Sequence, residues 1–498
     1  MSEPATPESA PADVIHADLC IVGAGIGGLN ALFAATQYLA RDQRVVLVDR
    51  RPRAGGMWID TYAYVRLHQP HRLFTAGDIS WEDSRDPAHL ATRDEVLDHV
   101  DHIVDVLAQR VTLDERYGWS LQSAVERNGV RAAFRNASGE HLVVEAPRLI
   151  KAYGFDVRPN PPLTLSSTRV RSVSPNSWDP DSSDPASAPD AAPVWIVGSG
   201  KTATDTAYRL ITSHPGREVN MVTGRGTFFL SRETMFADGI RRWFGGKRSN
   251  EIGALAAHRF DGTNEAEVTE WFRAKFGSEP IPDAAHHFLG LLSETERATI
   301  SAGLHRVVRD YLVDVHDHNE TTELVLRSGN TIEIAAGSLI VNCTGYLAVH
   351  DSPYDPYVSP GGSILSINDR SAVLHLTTYA GYFLTHLMFL DKLGDVPLYE
   401  LDMVGLREKG SPAAAYVLLA LAQYNLGLIF DAVPLQVFAQ AGFNLDRWYP
   451  PPRQLTGLAQ FIFRHRRQRD RYRRTLDTVR ERFGVRCGPL DREAVQQT

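Results

Sequence analysis

Two stretches of the chain share one pattern of apolar and polar positions. Residues 18–22, DLCIV, and 45–48, VVLV, are short and almost wholly apolar, as strands buried on both faces of a parallel sheet are. Residues 29–39 between them have the character of a helix, so 18–49 reads as strand, turn, helix, strand. The order returns with VWIV at 194–197, a helix over 201–211 broken by HPG at 214–216, and a second strand over 219–223. Residues 321–346 predict a hairpin turning at SGN, then a third strand leading back to the first domain. Residues 231–310 are expected to be largely helical, with aromatic points at Trp243, Phe244, Trp271 and Phe272, and to interrupt the second domain. Residues 401–498 also read as helical. Within them 413–430 is the longest uncharged run, barely of bilayer-spanning length. With Gln423, Tyr424, Asn425 and Gly427 inside it, it reads as a buried helix. Polar, proline-rich residues 1–14 read as a disordered tail, and 173–193, rich in Pro, Ser, Asp and Ala, as a linker.

Each strand runs into its helix through a glycine turn. Gly23, Gly25 and Gly28 have G-x-G-x-x-G spacing. The first permits the tight turn, the second lets the backbone approach a pyrophosphate, and the third lets helix and strand pack closely. The helix N-terminus then faces the phosphates. Asp49 ends the second strand, where a carboxylate accepts hydrogen bonds from ribose hydroxyls. The second turn has Gly198 and Gly200, with Ala203 in the third place. Here the acid is missing: its position falls at Thr223 or Gly224, and Arg225 follows. A guanidinium can pair with a 2′-phosphate that a carboxylate would repel. The first turn is therefore expected to hold a dinucleotide with a plain ribose, and the second NADP(H). FAD suits the first role, because a flavin takes hydride and then reacts with oxygen.

Composition narrows the choice further. At 498 residues and 43% hydrophobic, the chain has room for two or three cores. A net charge of −8 does not suit a dedicated nucleic-acid binder. There is no Cys-x-x-Cys among the three cysteines, which argues against a dithiol redox centre, and Cys20 and Cys343 read as packing residues. No metal site is expected: His286 and His287 are adjacent, read as pointing apart on a helix, and His316 and His318 lack a fuller ligand set. The seven arginines within 464–474 read as a solvated helix face, since acids follow at Asp477 and Glu481. The N-terminus lacks the features of a signal peptide, so a cytoplasmic location is expected.

Together these motifs resemble the flavin-containing monooxygenase superfamily, the class B flavoprotein monooxygenases, which includes flavin-containing, N-hydroxylating and Baeyer–Villiger enzymes. The matching stretches are GAGIGG (23–28), VDRRPRAGGMW (48–58), GSGKTATD (198–205) and VNCTGY (341–346). The resemblance implies an α/β fold with two dinucleotide-binding Rossmann-like domains, a helical insertion and a helical C-terminal region. The FAD domain would occupy 15–172 and 336–400, and the NADPH domain 194–335. FAD contacts are implied for Gly23, Gly25, Gly28, Asp49, Arg50, Gly56, Trp58, Thr344 and Gly345. NADPH contacts are implied for Gly198, Gly200, Lys201, Thr202 and Arg225. In such enzymes NADPH reduces FAD, and O2 adds to give a C4a-(hydro)peroxyflavin that oxygenates a small molecule. The implied partners are that substrate and O2, with no nucleic acid and no stable membrane insertion; homo-oligomerisation is left open.

The Baeyer–Villiger signature F-x-G-x-x-x-H-x-x-x-W-P/D falls on TRVRSVSPNSWD, 168–179. Trp178 and Asp179 fit, but Thr168, Val170 and Ser174 stand in the Phe, Gly and His places. N- or S-oxygenation is therefore favoured, with a Baeyer–Villiger enzyme or a flavin oxidase or dehydrogenase as alternatives. A membrane- or partner-docking flavin module, resting on 413–430 and the arginine tract, is a reading from another class. In the resembling enzymes the stretch after the Gly-Gly-x-Trp loop passes the flavin. Here it is TYAYVRLHQPHRLF, 61–74, which makes Gln69 a candidate hydrogen-bond donor and His68 a candidate for proton exchange near pH 7. Residues 381–386 are also expected near the flavin ring.

Overall fold

The computed structural model describes residues 13–154, 159–181, 192–345, 353–409 and 412–490. Most of the expected tail and much of the expected linker lie outside them. The tail ends earlier than its composition suggested, because a strand already begins at Asp13 and pairs with His141–Ala146.

Two five-stranded sheets carry the architecture. In the first, the order is Ile364–Asn368, Leu149–Gly154, Leu19–Val22, Arg44–Asp49, Thr112–Tyr117. In the second it is Arg306–Val308, Val219–Val222, Val194–Val197, Leu339–Asn342, Arg171–Val173. Every pairing in both is parallel. In each sheet the strand before the glycine turn is central, with the next strand of the unit on one side and a later strand on the other. This is the switch point at which such sheets open a crevice. The central strands Leu19–Val22 and Val194–Val197 are buried at every position, as their unbroken apolar runs predict.

The helix Ile26–Ala35 is buried along nearly its whole circumference. It lies between the first sheet and the helix Thr377–Phe389, which explains its apolar, weakly amphipathic sequence. The approach is backbone on backbone: a Cβ on Gly381 would sit 2.1 Å from the Gly27 carbonyl oxygen. Residues 381–386 are therefore not at the flavin face as expected. Gly381 packs on Gly27, and His386 Nδ1 is 2.8 Å from the Tyr38 hydroxyl.

The hairpin over Thr321–Leu326 and Thr331–Ile334 forms as read, extended by Leu312–His318. The strand after it, Leu339–Asn342, differs from expectation: it pairs in the second sheet, and the chain rejoins the first only at Ile364–Asn368. The insertion contains the helices Ser249–Arg259, Glu265–Phe276 and Glu294–Gly303, but also a three-stranded sheet. His286 and His287 belong to its strand His286–Leu292, not to a helix. This strand satisfies its backbone by pairing with Thr227–Ser231, a contact distant in sequence. The uncharged run forms the helix Ala414–Ala432, packed by Pro451–Phe483 and Ser249–Arg259. The C-terminal region is helical except for Cys487–Pro489, which pairs with Tyr399–Leu401.

Gly28 gives a test of the turn geometry. A Cβ there would lie 1.8 Å from the Gly23 carbonyl oxygen, while the second turn tolerates Ala203 at the same place. Gly28→Ala should cost about 1–3 kcal/mol through overpacking, measured as a lower melting temperature. Gly200→Ala, with open space around its added methyl, should leave the melting temperature within a degree or so of wild type.

Candidate functional site

The two glycine turns open onto one cleft of about 1670 Å³, larger than a usual single small-molecule pocket. Of the residues singled out in the sequence, all but Gly28 line it; Gly28 lies behind the first turn.

The first wall is bare backbone. Gly23 has φ +105°, and a Cβ on it would lie 2.4 Å from the Ala152 carbonyl oxygen. Gly25 meets Gly56 of the Gly-Gly-x-Trp loop, with 3.4 Å between a Gly25 Cβ and the Gly56 Cα. The two loops thus form a close-set cradle, in which a Cβ on Gly56 would lie only 2.8 Å from the Gly25 Cα. Asp49 fixes its floor: one carboxylate oxygen accepts from the Ala24 N–H at 2.7 Å and the other from the Arg51 N–H at 2.8 Å. Each oxygen retains a lone pair. Arg51 pairs with Asp60 at 2.6 Å, leaving Arg50 and Trp58 on the cleft surface. Trp58 is braced edge-on by Phe74.

The second wall repeats this geometry. Gly198 has φ +123°, and a Cβ on it would lie 2.5 Å from the Cys343 carbonyl oxygen. The helix Lys201–Ser213 begins at Gly200, and Lys201 and Thr202 line the cleft at its first turn. The Lys201 ammonium is turned along the helix into an ion pair with Asp205, four residues on. Arg225 sits exposed between Gly224 and Gly226, both at positive φ. Among the described residues its guanidinium makes no ion pair. Arg327 shares this end of the cleft and stacks over the Tyr311 ring at 4.1 Å. One acid, Asp310, is also here, but its oxygens accept from the Tyr311 and Ser328 amides. Thr344 and Gly345 follow Asn342, whose side-chain oxygen accepts from the Thr344 hydroxyl at 2.7 Å.

Between the walls runs the stretch 61–74. It bridges the two domains: Tyr62 donates to Asp205 at 2.8 Å, and the Tyr64 and Thr206 hydroxyls are 2.8 Å apart. The Arg232 guanidinium donates to the His68 carbonyl at 3.0 Å and pairs with Glu296 at 2.8 Å. His68 Nδ1 accepts from the Leu291 N–H at 3.4 Å, so Nε2 carries the ring hydrogen. Burial, with Lys201 and Arg232 nearby, pushes the His68 pKa down to about 3. A pKa lowered in this way favours the neutral ring, which can donate a hydrogen bond, over the proton exchange near pH 7 expected of this residue. Desolvation of this kind depends on contacts distant in sequence. Gln69 lines the cleft, its amide nitrogen 3.4 Å from the Leu73 carbonyl. Asp205 is pushed up by burial against the opposing pull of Lys201 and Tyr62.

Several cleft residues escaped the sequence reading. The i, i+4 spacing of Lys201 and Asp205 is a legible signal; Tyr62, and Arg232 and Glu296 behind His68, have none. His375, its pKa lowered by burial to about 4, and Thr377 and Thr378 bring the N-terminus of the helix Thr377–Phe389 to the cleft. Leu289, Gly290 and Leu418 bring the insertion and the C-terminal helix to it. Among the described residues there is no cluster able to hold a metal ion.

A model of the NAD(P)-binding Rossmann-like domain matches residues 21–89. A crystal structure of cyclohexanone monooxygenase with cyclohexanone bound overlays at a TM-score of 0.51, with 15% identity, covering 84% of this chain and 98% of that one. This chain has the same fold. A flavin-containing monooxygenase from Stenotrophomonas maltophilia overlays at 0.45, with 13% identity over 76% of this chain and 99% of that one. Uncharacterized proteins of Mycobacterium tuberculosis and Mycobacterium bovis are 26% identical over 252 residues, 46% of this chain. The chain spans 42% of the length of these curated relatives.

The neutrality of His68 is directly measurable. Its folded pKa is lowered, so the ring is uncharged at every pH above about 4, and any stability it withholds is withheld as pH falls below the ordinary value near 6.5. Nitrogen-detected NMR of labelled protein should show the His68 signals unchanged from pH 8 to pH 5. A titration midpoint between 6 and 7 would restore the proton-exchange role.

Proposed function

We propose that the chain is an FAD-dependent, NADPH-reduced monooxygenase that places one oxygen atom of O2 on a small molecule, at nitrogen or sulfur in preference to Baeyer–Villiger insertion. The observation that carries this reading is the pairing of two equivalent backbone cradles on one cleft, one ending in Asp49 and the other in Arg225. The cradle of Gly23, Gly25 and Gly56 fits a pyrophosphate, because any Cβ there would meet backbone instead. When bound, FAD supplies the hydride acceptor and the site at which O2 is activated.

The chain's own residues divide the remaining work. Asp49, held by two amides, accepts from the ribose of the resident cofactor. Arg225, with Arg327 beside it and Asp310 already capped by amides, meets a 2′-phosphate at the second turn. The N-termini of the helices Ile26–Ala35 and Lys201–Ser213 face phosphate. Gln69 offers an amide donor and His68 a neutral N–H toward the cleft, a fixed pair of dipoles at a site lined also by Trp58, Leu289 and Leu418. At the place of the missing signature histidine, Ser174 is buried and hydrogen-bonds Asn176 at 3.4 Å, and Asn176 donates to the Asp60 carbonyl at 2.5 Å. A small polar link thus fills the position from which a histidine would act, which supports the preference against the Baeyer–Villiger reaction.

Anaerobic reduction by NADPH and by NADH, followed by oxygen with amines, sulfides or ketones, tests the reading. Faster bleaching of the flavin by NADPH and oxygen-18 in an N- or S-oxide are expected. Stoichiometric hydrogen peroxide with every substrate would instead indicate an oxidase. Arg225→Ala should weaken NADP+ binding roughly 10- to 100-fold, as loss of a charged hydrogen bond does, and leave NAD+ binding unchanged; equal losses would remove the 2′-phosphate role. Gln69→Ala should retain FAD and raise the share of NADPH electrons lost as hydrogen peroxide.

A further inference from the structure

One face that does not line the cleft is formed by the start of the long helix Pro451–Phe483 and the short helix Arg241–Phe244. Arg453 of the long helix donates to the Arg242 carbonyl at 3.2 Å, and Gln460 accepts from Arg248 at 2.7 Å. The segment 240–248 therefore lies along the first turns of the long helix. On it Ile240, Trp243 and Phe244 are 74%, 53% and 85% exposed. On the helix, Leu455, Ile462 and Phe463 are also exposed and fall on one stripe at i, i+7 and i+8. The packed side of the same helix, carrying buried His465, Tyr472 and Leu476, lies about a quarter turn around from this stripe. Six large apolar side chains in water on two adjoining elements are more than a scatter of single exposed residues.

Cations surround this apolar area. Arg241 is exposed beside Trp243, and Arg464 and Arg467 are exposed beside Phe463. Among the described residues neither Arg464 nor Arg467 forms an ion pair. Arg466 and Arg469 share Asp431 with His465. The chain as a whole is at −8, so a positive end on an acidic molecule gives it a preferred orientation in a field. A second copy of the chain meeting this face by a two-fold axis would bring two positively charged patches together. A surface of anionic headgroups over an acyl boundary complements both the charge and the apolar side chains.

We propose that this face docks the protein peripherally on an anionic lipid surface, with Trp243, Phe244 and Phe463 entering the headgroup region and Arg241, Arg464 and Arg467 meeting the headgroups. It is distinct from the helix Ala414–Ala432, which is packed inside, and it is independent of the reaction assigned to the cleft.

Sedimentation with vesicles tests it. The full chain should pellet with vesicles of phosphatidylcholine and phosphatidylglycerol at 7:3, less so as salt rises, and stay in solution with phosphatidylcholine alone. Arg464→Ala and Arg467→Ala should each weaken partitioning roughly fivefold. Trp243→Ser with Phe244→Ser should abolish it while the melting temperature stays unchanged, since both side chains are exposed. Absence of pelleting with anionic vesicles, or wild-type pelleting by the serine double variant, would overturn the proposal. So would a dimer in sedimentation velocity that the serine double variant dissolves, which would make a second copy the occupant.

Discussion

The structure depends on one close approach, made twice. At the end of each central strand a glycine turns with positive φ and sets its Cα against the carbonyl that closes the neighbouring strand: Gly23 against Ala152, Gly198 against Cys343. No side chain fits in either place, because its Cβ would lie 2.4 or 2.5 Å from the oxygen, closer than van der Waals contact allows. The contact lets the helix begin at once, pressed to the sheet, with its free N–H groups aimed along the crevice. The order of strands follows from this, since the flanking strand must be a later one that ends at the same level. Both sheets obey it, and the cleft is the space left between the two outcomes.

For the two dinucleotides proposed for the cleft, an acidic chain must gather its cations locally. The cleft does so with Arg50 by the first turn and Arg225 and Arg327 by the second, on low-dielectric walls that concentrate their field. Lys201 is an exception. It stands at a helix N-terminus but gives its charge to Asp205, and the pair is anchored to the other domain through Tyr62. The same cation, with Arg232, helps keep His68 neutral. The charge at the centre of the site is therefore fixed by contacts between domains.

What the sequence disclosed and what it concealed divide by range. The turns, their strands and the acid or arginine that follows are legible because each is set within about 30 residues by spacing and apolar runs. The Lys201–Asp205 pair could be read for the same reason. The strand Leu339–Asn342 was assigned to the wrong sheet because its apolar run fits any parallel sheet equally well. His286 and His287 were misplaced on a helix because their strand exists only by pairing with Thr227–Ser231. The proton affinity of His68 is a property of burial, and no local pattern records burial. Gly381, read as a flavin contact, is glycine because the Gly27 backbone presses on it from another helix.

The bonds that cross between domains extend this reasoning to the site itself. Tyr62 and Tyr64 hold the second-turn helix, Arg232 and Leu291 hold His68, and Asn176 holds the Asp60 carbonyl. Each joins a loop of the first domain to an element of the second or to the segment leading into it. His68 is thus positioned by the domain it does not belong to. A change in how the second domain holds its dinucleotide must alter the setting of His68 and Gln69, because the loop bearing them is bonded to the helix that begins at Gly200. The two turns are joined through that loop, without a separate connecting element.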